Sequence, residues 1–229
     1  MALEMSESQI SAIVQQVLAS IQPAGKTEEK PASEWDSVQY HGRRFIGIFN
    51  DMNAAIEAAQ EGYKAVRAMS VEQREKVITQ IRQQIREEAE TMAALGVAET
   101  GMGRVEHKKA KHLLVADKTP GTEDIVSEAR TGDDGLTLVE MAPFGVVGAI
   151  TPSTNPSETV LCNSIGMIAA GNGVVFNPHP NAIATSNYAV DLVNRACKAA
   201  GGPDILVCSM DKPTMESAAI MQSLSLIHI

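Results

Sequence analysis

Positive charge is in short supply in this chain. Its 229 residues carry 19 Lys and Arg against 28 Asp and Glu, a net charge of −9, and the only basic cluster is KKAKH from Lys108 to His112. A phosphate-binding surface needs clustered cations, so nucleic acid is not expected as a partner, and the one cluster reads as a solvated helix face. No apolar run approaches the roughly 18 residues a membrane span requires. The acidic N-terminus, without a long apolar stretch, does not read as a secretory signal. Three cysteines, none in a CxxC or metal-ligand spacing, fit a reducing cytosol and point to no metal site. No G-x-G-x-x-G occurs, so an ordinary Rossmann dinucleotide loop is not supported.

What is present suits an α/β protein with one substantial core: 44% of residues are hydrophobic and 21% charged. The most informative stretch runs from Pro143 to Pro180. An apolar run (Val146 to Ile150) is followed by a Pro/Ser/Thr/Asn turn, a helical run (Glu158 to Ala170), a Gly-Asn-Gly break and a second apolar run (Val174 to Phe176). That order predicts a βαβ unit. Parallel strands bring their carboxyl ends to one rim, where open α/β sheets bind ligands. Here both strands end in proline-rich polar elbows, TPSTNP and NPHP. Upstream, Met52 to Ala68 and Val71 to Val97 read as helices, with Ser70 as a candidate N-cap and Gly101 and Gly103 suited to a left-handed helix end. A later helix is expected over Asn187 to Ala199 and a third strand over Ile205 to Ser209.

At the N-terminus, Ile10, Ile13, Val14, Val17, Leu18 and Ile21 fall on one stripe of a helix beginning near Ser6. Gln22 to Ser37, rich in Pro, Gly, Ser and charge, reads as a linker. Burying six aliphatic side chains contributes about 10 kcal/mol before ordering costs, so the helix needs an apolar partner surface. That surface is either its own domain or another protein. The expected division is an amphipathic helix over 1–21, a linker over 22–39 and a cofactor-binding domain over 40–223.

The elbows resemble those of the aldehyde dehydrogenase superfamily. PFGVVGAITPSTNP together with ETGMGR (Glu99 to Arg104), TPGTEDI, TGDDGLTLVE and AAGGPDILV is similar to its CoA-acylating branch from bacterial microcompartments, over about Gly47 to Ser223. The resemblance implies the N-terminal part of a Rossmann-like cofactor domain, a parallel sheet with flanking helices. It implies NAD and coenzyme A as cofactors, a short-chain aldehyde such as acetaldehyde or propionaldehyde as substrate, and a homo-oligomeric parent. The N-terminal helix looks like an encapsulation peptide, so residues 6–21 are expected to dock on a shell protein and to place the enzyme in a cytoplasmic microcompartment.

In that family a cysteine thiolate adds to the aldehyde, hydride passes to NAD, and CoA takes the acyl group. An Asn in the Pro-x-x-x-Pro turn donates to the oxyanion. Aligned on Pro152 and Pro156, the family's Asn position falls on Thr154, whereas the only Asn in this turn is Asn155. Asn155 is the preferred donor, Thr154 stays open, and a purely structural Asn capping the following helix is the alternative. Thr151, Pro152 and Ser153 of the first elbow and Asn177, Pro178, His179 and Pro180 of the second are the candidate cofactor contacts. The second elbow lacks the Lys and Glu of hydrolytic relatives, which suits a neutral site open to NAD or to the adenosine end of CoA. His179 is either a nucleotide contact or a surface histidine in a turn.

None of Cys162, Cys197 or Cys208 is expected to be the nucleophile, since buried helix and strand cysteines are weakly reactive. The family pattern stops at Ser223. Reading CTG TCT CTT ATA CAC ATC, the end of a transposon used for sequencing libraries, gives the remaining six residues, LSLIHI. Residues 224–229 are therefore expected to be a read-through tail on a fragment lacking the nucleophile and hence inactive; a natural apolar tail that adds a strand is the alternative. A hydrolytic aldehyde dehydrogenase fragment and a non-catalytic shell- or nucleotide-binding module remain as other readings.

Overall fold

The computed structural model describes residues 38–223 and 227–228. The chain divides into two units, Met1–Glu34 and Trp35–Ile229. The first unit lies outside the described residues, and with it the expected helix of residues 6–21 and most of the expected linker.

Two short strands, β1 (Gln39–Tyr40) and β2 (Arg43–Arg44), form an antiparallel pair before β3 (Ile48–Phe49) enters the main sheet. Helix α1 (Met52–Ala68) starts at Asp51, whose carboxylate accepts the Ala54 amide at 2.8 Å. Helix α2 (Val71–Thr100) starts with a reciprocal capping box. Ser70 Oγ accepts from the Gln73 amide at 3.2 Å, and Gln73 Oε1 accepts from the Ser70 amide at 2.8 Å. It stops at Gly101, which takes φ 68°, the left-handed geometry a side chain disfavours. Helix α3 (Val105–Lys118) folds back on α2. A hairpin of β4 (Glu128–Gly132) and β5 (Gly135–Val139) follows, every residue of it exposed.

The predicted βαβ unit is present. Strand β6 (Val146–Ile150) passes through α4 (Pro156–Ala169) to β7 (Gly173–Asn177), and the two strands pair in parallel. Helix α5 (Ile183–Ala199), strand β8 (Val207–Met210) and helix α6 (Met215–Ser223) continue the winding. The sheet runs β3-β8-β7-β6-β9, where β9 is Ile227–His228. Period-two alternation sorts its side chains. Val174 and Phe176 enter the core with α2, α4 and α5, while Val175 and Cys208 enter the core with α1 and α6. α1 runs close over β7 because residue 173 is glycine: a Cβ there would stand 2.7 Å from the Ala59 carbonyl oxygen.

Three expectations are corrected. The sheet has five strands rather than the three expected, because two-residue strands join each side of β8-β7-β6; β9 pairs with Val147 and Gly148 at the β6 edge. KKAKH is only partly a solvated face: Lys108 is 3% exposed and His112 0%, since α3 turns that side onto α4, while Lys111 stays exposed. Cys162 is exposed rather than buried, because it lies on the outer face of α4. Cys197 and Cys208 are buried, and burial pushes both thiols up to about 12.

Candidate functional site

Both elbows emerge at the carboxyl rim of the sheet, as the parallel pairing of β6 and β7 requires. Between them and α6 lies a cavity of about 330 Å³, lined by Ile150, Thr151, Asn177, Pro178, His179 and Pro180 from the two strand ends and by Thr214, Met215, Ala218 and Gln222 at and within α6. Five of the seven predicted cofactor contacts thus meet in one place. Pro152 and Ser153 are outside the lining, as are Thr154 and Asn155. No lining residue is a carboxylate, and His179 is the sole titratable one.

The polar groups of this cavity have distinct states. Thr151 is 1% exposed, and its hydroxyl has no hydrogen-bond partner. Asn177 is committed to the scaffold, since its Oδ1 accepts the Ser217 hydroxyl at 2.9 Å. Ser217 in turn exchanges hydrogen bonds with Thr214, its hydroxyl accepting the Thr214 amide at 2.9 Å and its amide donating to the Thr214 hydroxyl at 3.0 Å. The start of α6 is therefore tied to the tip of β7. His179 is half-buried, and its Nδ1 takes the Asn181 amide at 3.1 Å. An Nδ1 that accepts puts the proton of the neutral ring on Nε2, which can donate.

The second group of residues is a clamp on the first elbow. Lys108, Lys111 and His112 stand at helical spacing on one side of α3. Lys108 Nζ donates to the Thr154 carbonyl at 3.0 Å and lies 3.6 Å from Glu158. Lys111 Nζ donates to Asn155 Oδ1 at 2.8 Å. His112 Nδ1 faces the Lys108 carbonyl at 2.8 Å, so that nitrogen bears the proton and Nε2 accepts from the Ser157 hydroxyl at 2.8 Å. Burial lowers the His112 pKa below its ordinary value, against the opposing pull of Glu158. A serine hydroxyl on an imidazole is the start of a nucleophile, but Ser157 is 1% exposed and His112 0%, and no carbonyl substrate reaches them. Their role is to fix the entry to α4.

Asn155 does occupy the N-cap position of α4, yet its side chain makes no capping hydrogen bond. Its backbone carbonyl takes the Thr159 amide at 3.0 Å and the Thr159 hydroxyl at 2.7 Å instead. Thr154 is exposed. Sequence reasoning missed the α6 side of the cavity, although Thr214 before an apolar run with Ser217 three residues on is a helix-start pattern. It also missed Lys108, Lys111 and His112, whose pattern reads as surface until α4 is known to cover it. Among the described residues no group of three or more His, Cys, Asp or Glu is placed to hold a metal ion, and no helix is long and apolar enough to cross a membrane.

The model of the aldehyde dehydrogenase family matches residues 48–222. The acetaldehyde dehydrogenase (acetylating) EutE of Escherichia coli is 42% identical over 214 residues, which is 93% of this chain and 43% of that protein. The propanal dehydrogenase (CoA-propanoylating) of Citrobacter freundii is 39% identical, over 77% of this chain and 38% of that one. Among solved structures, a propionaldehyde dehydrogenase from the fucose utilisation microcompartment of Clostridium phytofermentans superposes with a TM-score of 0.78 at 62% identity, over 80% of this chain and 42% of the other. The propionaldehyde dehydrogenase of Rhodopseudomonas palustris with bound propionyl-CoA gives 0.76 at 43% identity, over 90% and 44%. The chain thus spans less than half the length of these relatives.

Proposed function

The chain belongs to the aldehyde dehydrogenase family, and from that premise we propose that it is the N-terminal part of a CoA-acylating enzyme that converts a short aldehyde, acetaldehyde or propionaldehyde, to its acyl-CoA. The observation that carries the reading is the cavity at the tips of β6 and β7, where two polar elbows meet without a carboxylate. The elbow chemistry fits a nucleotide. A buried, unpartnered Thr151 hydroxyl and the Nε2 side of His179 offer hydrogen bonds, and nothing in the lining repels phosphate. NAD, when bound, supplies the hydride acceptor, and coenzyme A the acyl acceptor. Thr151, Pro178, His179 and Pro180 contact the nucleotide, Asn177 holds the wall of its pocket, Pro152 and Ser153 set the path of the elbow, and Asn155, with Thr154 as the other candidate, donates to the oxyanion.

The nucleophilic cysteine lies in the part of the enzyme beyond this chain, and the 229-residue chain alone is inactive in this reading. Thiols raised to about 12 at Cys197 and Cys208 suit that view. The complete enzyme is a homo-oligomer in this reading, which the exposed apolar side chains Leu136, Leu138, Val139, Met141 and Phe144 of the β4-β5 hairpin and the strap after it support as a surface for a second copy or for the rest of the enzyme. Residues 6–21 bind a shell protein, and the enzyme works inside a microcompartment, as the source of the Clostridium structure suggests.

The test is to express the complete coding region and follow NADH formation from acetaldehyde and propionaldehyde. Formation that requires CoA and yields the thioester is the expected result. Formation without CoA, yielding free acid, replaces this reading with the hydrolytic one; no turnover by the complete protein, with a nucleotide or shell protein still bound, replaces it with the non-catalytic module.

A further inference from the structure

We propose that Lys111 is a positioning residue that sets the orientation of the Asn155 side chain, so that the amide presents its NH₂ group, and not its oxygen, to a ligand at the first elbow. The inference rests on the reading of Asn155 as an oxyanion donor. An ammonium group donates and cannot accept, so at 2.8 Å from the amide it must face Oδ1. That contact decides which end of the amide turns towards α3, and leaves Nδ2 as the donor end. The other hydrogen bonds of Asn155 run through its backbone carbonyl, which takes the Thr159 amide and hydroxyl, so Nδ2 is the end left for a ligand. A cation on the oxygen also draws electron density from the amide and strengthens its N–H as a donor.

The grip is built to hold a register. Lys108 takes the Thr154 carbonyl, Lys111 takes the Asn155 oxygen, and His112 takes the Ser157 hydroxyl, so one face of α3 contacts three residues of a four-residue stretch. Lys108 is buried and faces the carboxylate of buried Glu158, whose Oε1 accepts no hydrogen bond. The buried pair anchors the frame, and the exposed Lys111 does the aiming. An exposed ammonium of this kind adds little to stability, so orientation rather than folding energy is the measurable consequence.

The test uses Lys111→Met, Lys111→Arg and Asn155→Ala with two readouts. In ¹⁵N-labelled 229-residue chain, Lys111→Met should shift the pair of Asn155 side-chain NH₂ resonances and bring them closer together, and Lys111→Arg should keep them separate. In the complete enzyme, Lys111→Met should lower kcat roughly tenfold with the KM for NAD unchanged, Lys111→Arg should recover most of it, and Lys111→Met should add little to Asn155→Ala. Unchanged amide resonances in Lys111→Met, or a rate equal to that of the unaltered enzyme while Asn155→Ala is impaired, would overturn the proposal and leave the donor reading standing. An Asn155→Ala enzyme with full kcat would overturn the donor reading, and this proposal with it.

Discussion

Glu99, near the C-terminal end of α2, closes the N-terminus of α5 by accepting the backbone amide of Thr185 at 2.8 Å. Its other oxygen accepts the Ala184 amide at 2.8 Å. A carboxylate at a helix N-terminus satisfies orphan amides and complements the helix dipole. The last turn of α2 thus carries an anion that holds the helix after the second elbow, while cations on α3 hold the first elbow. One helical hairpin steadies both walls of the site.

Glu99→Gln should cost about 1 kcal/mol of folding stability, and Glu99→Ala about 2 kcal/mol, as the α5 amides lose charge and then their partner. Urea midpoints measured on the 229-residue chain check this. Equal midpoints for the three proteins would show that water replaces the carboxylate without loss.

His112 should make stability fall on acidification. Its folded pKa is lowered by burial from an unfolded value of 6.5, so the unfolded chain takes up a proton first. The contribution of the neutral ring is fully present above pH 6.5 and is lost as pH falls from there towards the folded value. Unfolding followed from about pH 7.5 to about pH 5.5 should show a slope that His112→Gln reduces. If the two proteins lose stability in parallel over that window, another group is responsible.

Thiol reactivity should separate the cysteines. Cys162 is exposed, whereas Cys197 and Cys208 are buried with pKa values pushed up to about 12. Ellman's reagent on the native chain should modify Cys162 quickly and the other two only after denaturant is added. Rapid modification of all three would mean that the β8 and α5 cores open readily.

Thr151→Val tests the cavity. The hydroxyl is buried without a partner, so a methyl of the same shape should leave the fold equally stable or raise stability by up to about 1 kcal/mol. Loss of a ligand hydrogen bond should weaken nucleotide binding roughly tenfold. Equilibrium dialysis with NAD and with CoA, beside a thermal melt, gives both numbers. A variant that binds both nucleotides as tightly as the parent removes Thr151 from the contacts.

Periodicity and punctuation made much of the fold legible. The bounds of β6 and α1, the Ser70 cap, the Gly101 helix end and the parallel crossover all follow from patterns within a few residues, because caps and turns are local hydrogen-bonding problems. The meeting of Thr151 with Asn177 to Pro180 was also legible, since a right-handed crossover leaves no other rim for two such elbows. Helix α5 shows where this ends. Asn187, Asp191 and Asn194 sit in its buried face: Asn194 pairs with Leu206 and Val207 on one side and Ile46 on the other, and Asp191 takes the Ile46 amide and the Arg43 and Arg195 guanidiniums. Buried polar groups of this kind break the apolar pattern that sequence reading depends on.

The amino-acid order by itself determined the family, the βαβ crossover and the two elbows at its rim, because each is encoded by neighbours along the chain. Tertiary structure alone decided which charges are buried and which groups they meet. Whether Lys108 is solvent or core, and whether Lys111 meets water or Asn155, depends on α4 covering α3 some 44 to 46 residues away in sequence. Electrostatic roles are set by what lies across the contact, and no local pattern carries that information.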